Sequence, residues 1–312
     1  SAASDVYKRQ VLTESNTTHK SVPMLMSDIT ACNFDSIYHQ KGIITAFKEA
    51  GYQTAFFSNQ RYNHSFIDFF GKEADTFDFI KEDSLDSAYN PSDDELLALV
   101  AKELSKGNKK QFIVLHTYGS HFNYRERYPS EDAFFLPDYP VEAEVKYRDN
   151  LVNAYDNTIR YTDGFLSRLI HMLEEQHVDA AMLYTSDHGE DIFDDSRHLF
   201  LHASPVPSYY QLHVPFLIWM SDTYREAYPE HWQTVTGNKD KDVSSSCSFF
   251  PTMLELGGVQ TSYRNDSSSV VSPLYTMKPR VYLNDHNEPR PLDDLGMKQP
   301  DFQKCQVLGI KY

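Results

Sequence analysis

Short apolar runs recur along this chain, separated by stretches with helical spacing, and each run stops at polar residues. The runs are 54–58 (TAFFS), 111–115 (QFIVL), 179–185 (DAAMLYT) and 214–220 (VPFLIWM). Between them, residues 37–50 have helical spacing and end at Gly51, and residues 92–95 form an S-x-x-E capping box opening a helix through about Leu104. Residues 107–110 read as the turn after it. Residues 142–176 read as a long helix interrupted near Gly164, with Tyr155, Ile159, Thr162, Leu166 and Leu169 on one face. Strands alternating with helices predict an α/β fold with a central, mostly parallel sheet flanked by helices. Ligands in such folds bind beyond the carboxyl ends of the strands.

That rim is where the chemistry-bearing residues fall. The run 181–190, AMLYTSDHGE, ends in a carboxylate, an imidazole and a glycine that lets the backbone turn, the ingredients of a divalent metal site. Two further clusters, 116–121 and 198–213, follow or precede strands, so His116, His121, His188, His198, His202 and His213 share one predicted edge. The segment 12–26 starts as a hydroxyl-rich loop and turns apolar after Pro23, with Asn16, Thr17 and Thr18 as helix N-cap candidates. A Thr there sits at the positive end of the helix dipole, which suits a nucleophile that must lose a proton. Residues 65–79, rich in Phe and Asp, read as irregular and partly buried. Residues 249–256 read as a helix closed by Gly257 and Gly258, and the turn-rich tail 261–312 as a small antiparallel sheet with a strand near 280–283.

At 312 residues the chain has room for one large α/β domain or two average ones. Its net charge of −16 repels polyanions and no basic patch offsets it, which argues against nucleic-acid binding. Cys32, Cys247 and Cys305 lack CxxC spacing, so neither a thiolate zinc site nor a disulfide framework is indicated, and at most one disulfide can form. No apolar run approaches membrane-helix length and no signal peptide is visible, so the chain as it stands is expected to be soluble. Residues 1–10 lack a hydrophobic period and read as a foreign or sequencing remnant, outside the fold. The expected domain spans 11–260, with 261–312 as its extension.

In this order and spacing the motifs resemble the phosphoethanolamine transferases of the alkaline phosphatase and sulfatase superfamily, which modify lipid A or lipopolysaccharide core. The resemblance covers residues 12 to about 258. It is carried by Thr18-His19-Lys20-Ser21-Val22-Pro23 (T-x-x-S-V-P), by Leu115-His116 through Gly119-Ser120-His121, and by Arg127-Tyr128-Pro129. Asn153 to Thr158 (NAYDNT) with Tyr161 and Asp163, Ser186-Asp187-His188-Gly189-Glu190, and Leu201-His202 complete it. The resemblance implies Thr18 as the nucleophile and a zinc ligand, Asp187 and His188 as zinc ligands, and His121 and His202 beside the transferred phosphate, on substrate or a second zinc. His116 and Glu190 match with less defined roles. It further implies one or two zinc ions, phosphatidylethanolamine as donor, lipid A or lipopolysaccharide core as acceptor, and an inner-membrane protein with a periplasmic catalytic domain. Acceptor choice is expected in loops such as 124–139.

Departures from the family pattern matter too. The family's first metal ligand, an acid on an N-terminal strand, is missing along with the preceding membrane helices, and Glu14, four residues before Thr18, does not match it. Met24 stands where many relatives have Cys, so the usual nearby disulfide cannot form. Three protein ligands in place of four imply weak zinc binding and poor turnover. Rival readings are a sulfatase, disfavoured because no C/S-x-P-x-R setting is present, a lipoteichoic-acid-type glycerol-phosphate transferase, a phosphodiesterase, and a non-catalytic glycolipid-binding fragment.

Overall fold

The computed structural model describes residues 5–8, 10–81, 90–107 and 110–312, so residues 108 and 109 of the expected turn lie outside the described residues. The fold is α/β, with parallel strands flanked by helices and small antiparallel sheets. The chain divides into two compact units, one made of Gly51–Gln176 and Ile192–Leu201, the other of Ala2–Ala50, His177–Asp191 and His202–Tyr312.

In the first unit, Gln53–Ser58 is the central strand of a parallel sheet, between Thr76–Phe79 and Gln111–His116. Ser58 pairs with His116, so His116 leaves the sheet at its carboxyl edge. The stretch expected to be irregular, 65–79, instead holds the helix Phe66–Gly71 and the edge strand Thr76–Phe79. Ser65 caps that helix by accepting from Ile67 N, and the helix can lie against the sheet because Gly71 has no Cβ. A Cβ there would sit 2.7 Å from the Phe56 ring. The long helix is Arg148–Glu174, unbroken at Gly164. Its buried stripe runs through Leu151, Ala154, Thr158, Thr162, Phe165, Leu166 and Leu169, so Thr162, Leu166 and Leu169 lie on the core face as expected, while Ile159 is 48% exposed and Tyr155 half-buried. Helix Glu95–Leu104 does form, but Ser92 does not close a capping box; its hydroxyl bonds Tyr161 (2.6 Å) and Asp94 N (3.2 Å).

In the second unit, Ala181–Thr185 pairs with Phe216–Met220, which pairs with Asp5–Lys8, and both pairings are antiparallel. The strand at 216–220 therefore runs opposite to the expected direction. Part of the set-aside 1–10 segment also forms a strand. Thr185 pairs with Phe216, so the chain leaving one strand and the chain entering the next meet at one edge. Val11–Leu12 lies parallel to Val243–Ser244, and Val281–Leu283 forms an antiparallel hairpin with Pro289–Pro291, the small C-terminal sheet the tail predicted. Phe216, Ile218 and Met220 are fully buried with Val11, Val214 and Val243, and each such side chain stabilises the unit by about 1.5–3 kcal/mol. The expected helix 37–50 is two pieces, a 3-10 helix Ala31–His39 and the α-helix Ile43–Glu49, separated where Gly42 bridges to Ser27. Helix Ser245–Leu256 ends at Gly257 as expected, and Cys32, Cys247 and Cys305 are free thiols.

Candidate active site

Thr18 is the first residue of helix Thr18–Met26, behind Thr17 in extended backbone, whose carbonyl accepts from Lys20 N (3.0 Å) and Ser21 N (2.9 Å). No acidic residue occupies the first turn of the helix itself, and the acid near its positive end is Asp187, whose Oδ2 lies 3.4 Å from Ser21 Oγ. Burial, with Lys20 beside it, holds His19 below the usual imidazole range, and burial lowers Lys20, which keeps positive charge in that turn costly.

The second component is the turn after Ala181–Thr185. Ser186 Oγ donates to His188 O (2.6 Å) and Gly189 N to Gln211 O (2.9 Å), which fixes the turn. Gly189 is obligatory here, since a Cβ would collide with the Tyr210 carbonyl oxygen. His188 is 8% exposed and places Nδ1 3.0 Å from Gly189 O. A carbonyl only accepts, so in the neutral ring Nδ1 carries the proton and Nε2 keeps its lone pair. That Nε2 lies 3.0 Å from Thr18 Oγ1 and 3.4 Å from Asp187 Oδ2, with Ser21 Oγ also 3.4 Å from Asp187 Oδ2.

These separations test the cation site. Ligands about 2.0 Å from a tetrahedral zinc lie about 3.3 Å apart. The separations from His188 Nε2 to Thr18 Oγ1 and to Asp187 Oδ2 match two edges of such a tetrahedron, as two pairs of ligands on one zinc would. Among the described residues no three His, Cys, Asp or Glu side chains converge on a common ion, so the set is two such side chains plus a hydroxyl. His202 lies against His188, ring centroids 4.2 Å apart, and its Nδ1 is 3.0 Å from Glu190 Oε1. A carboxylate on Nδ1 turns Nε2 toward other work.

Glu14 is enclosed elsewhere in the same unit. Its Oε1 accepts from Ser244 Oγ (3.0 Å) and Cys247 Sγ (2.9 Å), its Oε2 from Ala31 N (2.7 Å), and burial raises its pKa. His213 stacks on Tyr209, centroids 5.1 Å apart.

His116 and His121 belong to the other unit, with His198. His116 Nδ1 is 2.9 Å from Ser58 Oγ, and His121 Nδ1 is 2.6 Å from Phe122 O. The loop bearing His121 is pinned by Asp93, which accepts from Tyr118 N (2.8 Å) and Gly119 N (2.9 Å). In the loop 124–139, Asn157 Oδ1 accepts from Phe134 N and Phe135 N, both at 2.9 Å, and Asn153 Nδ2 donates to Pro137 O (2.9 Å). The backbone is tied down while Phe134, Leu136 and Tyr139 stand exposed.

Comparison with known proteins places these features in context. The sulfatase family profile matches residues 1–259. The phosphoethanolamine transferase EptA of Salmonella typhimurium is 34% identical over 168 residues, 52% of this chain and 30% of that protein's length. The zinc complex of the C-terminal periplasmic domain of EptC from Escherichia coli superposes with a TM-score of 0.84 at 21% identity, over 95% of this chain and 84% of that one. The integral membrane protein lipooligosaccharide phosphoethanolamine transferase A from Neisseria meningitidis gives a TM-score of 0.76 at 25% identity, over 86% of this chain and 51% of that one.

Proposed function

The chain belongs to the sulfatase family, and from that premise we propose that it is the catalytic portion of a phosphoethanolamine transferase acting on lipid A or lipopolysaccharide core, with phosphatidylethanolamine as donor. The observation that carries this reading is the trio of Thr18 Oγ1, His188 Nε2 and Asp187 Oδ2, 3.0 and 3.4 Å apart at a helix N-terminus. Similarity to named transferases supports the reaction class, and a neighbour described as a zinc complex supports zinc as the metal. No helix among the described residues is long and apolar enough to cross a membrane. An inner-membrane setting with this portion in the periplasm is proposed from relatives described as a periplasmic domain and as an integral membrane protein.

Zinc bound by Thr18, Asp187 and His188 would lower the pKa of the threonine hydroxyl and offset charge on the phosphoryl oxygens. Thr18 Oγ1, its proton released to solvent, attacks phosphorus. The bond to the diacylglycerol oxygen breaks as that oxygen takes a proton from His202 Nε2, whose charged form Glu190 stabilises. The phosphothreonine is then attacked by an acceptor oxygen, the Thr18 oxygen leaves, and any acceptor proton passes to His202. The positive end of the helix dipole at Thr18 would favour the developing charge. His121 and His116 are proposed as substrate or second-metal residues, and the 124–139 loop as the element that selects the acceptor.

The test is transfer from a labelled phosphatidylethanolamine, with mass spectrometry of the trapped protein. Parent protein should carry phosphoethanolamine on Thr18, and Thr18→Ala should carry none and transfer none. Equal transfer by both would remove Thr18 from the chemistry.

A further inference from the structure

The three loops bearing the proposed reacting groups of the second unit are joined by one buried hydrogen-bond chain. Asn16, two residues before Thr18, donates from Nδ2 to Ser204 O (2.9 Å) and Gln211 Oε1 (2.6 Å). Its Oδ1 accepts from Tyr282 OH (2.6 Å), and its carbonyl accepts from Ala203 N (3.1 Å), the residue after His202. Gln211 Nε2 donates to Asp191 Oδ2 (2.6 Å) and Ser204 Oγ (2.8 Å), and Gln211 O holds Gly189 N (2.9 Å). Asn16, Gln211, Asp191 and Tyr282 are all buried.

The chain has a single direction. The Asp191 carboxylate only accepts, so Gln211 must turn its amide nitrogen to it and its oxygen to Asn16. Asn16 must then present nitrogen to Gln211 and oxygen to Tyr282, whose hydroxyl must donate. The C-terminal hairpin that supplies Tyr282 also bonds either side of Thr18, through Leu283 N to Glu14 O (2.8 Å) and Lys20 Nζ to Asn284 O (2.7 Å).

We propose that Tyr282, Asn16, Gln211 and Asp191 form the positioning device of the site, holding the Thr18, His202 and Asp187–His188 loops in register, with the Tyr282 hydroxyl as terminal donor. The inference deepens the transferase reading and rests on it for its kinetic consequence alone. None of the four touches substrate; they act through the loops they join.

Tyr282→Phe removes one hydroxyl and keeps the ring. Amide hydrogen exchange at Ala203 and Gly189 should accelerate about tenfold, while Leu183 and Ile218 in the adjacent sheet keep their protection. Zinc affinity by calorimetry should weaken, and kcat should fall about tenfold with KM within about twofold, as displaced reacting groups demand. Asn16→Asp should be worse, because its carboxylate would face two acceptors, Ser204 O and Gln211 Oε1. Adding Asp191→Asn lets Gln211 reverse and should recover part of the loss. Unchanged exchange at Ala203 and Gly189 in Tyr282→Phe, or a double variant no better than Asn16→Asp alone, would overturn the proposal. Exchange and zinc affinity decide it even if the parent transfers nothing, an outcome that would defeat the transferase reading alone.

Discussion

Two acids of the same unit, Glu14 and Asp187, keep opposite company. Protons converge on Glu14, from a backbone amide, a serine and a thiol. Around Asp187 the lone pair of His188 Nε2 faces the carboxylate at 3.4 Å and, through it, Thr18 Oγ1, while the Ser21 hydroxyl donates to the same carboxylate oxygen only at 3.4 Å. Converging short donors make a structural carboxyl; a lone pair facing a carboxylate asks for a cation. The contrast distinguishes the two without reference to how either motif reads in sequence.

The comparison breaks most readily at Asp187. Asp187→Asn should lower zinc affinity and transfer by about a thousandfold, with Tm almost unmoved, because calorimetry and activity then report a lost ligand in an intact fold. Glu14→Ala should do the reverse, destabilising the protein by about 2–4 kcal/mol in urea titration through a cavity and stranded donors. Zinc affinity per folded molecule should be unchanged. Swapped outcomes would reverse the assignment. Zinc at about a hundred times its Kd should add about 2.7 kcal/mol of stability to the parent and nothing to Asp187→Asn. Glu190→Gln should cost about tenfold in kcat by weakening the charge-assisted bond to His202 Nδ1.

The smallest effect sharpens the Glu14 side. Burial raises its folded pKa above the unfolded value near 4.5, so its stabilising contribution is complete below that pH and is lost as pH rises through the folded pKa. Glu14→Gln should therefore flatten the fall in stability above about pH 4.5 relative to the parent, measured by denaturation at stepped pH. A parallel pair of curves would mean that Glu14 titrates as it does in the unfolded chain.

Much of this corner was legible because its chemistry is local in sequence. Strand, carboxylate, imidazole and glycine follow one another at 181–190, and the hydroxyl at position 18 precedes an apolar helix. Strand direction was not legible. Phe216–Met220 is apolar throughout, and a fully buried strand carries no alternation to reveal which way it runs. The strand Thr76–Phe79 was lost among Phe and Asp residues that gain meaning only beside Gln53–Ser58. The polar chain through Asn16, Gln211 and Tyr282 could not be read at all, since its partners lie 195 and 266 positions apart and each is ordinary alone. Asp93 passed unremarked as an x position of S-x-x-E, whereas tertiary contacts from the 118–119 backbone claim its carboxylate.

Gly189 draws a further consequence from that packing. Its Cα abuts the Tyr210 carbonyl so closely that even a methyl group is barred, although the residue bears no reactive atom. In a saturation screen for transfer, position 189 should look as intolerant as the nucleophile itself, and only a stability assay would reveal that the first is a matter of room and the second of reactivity.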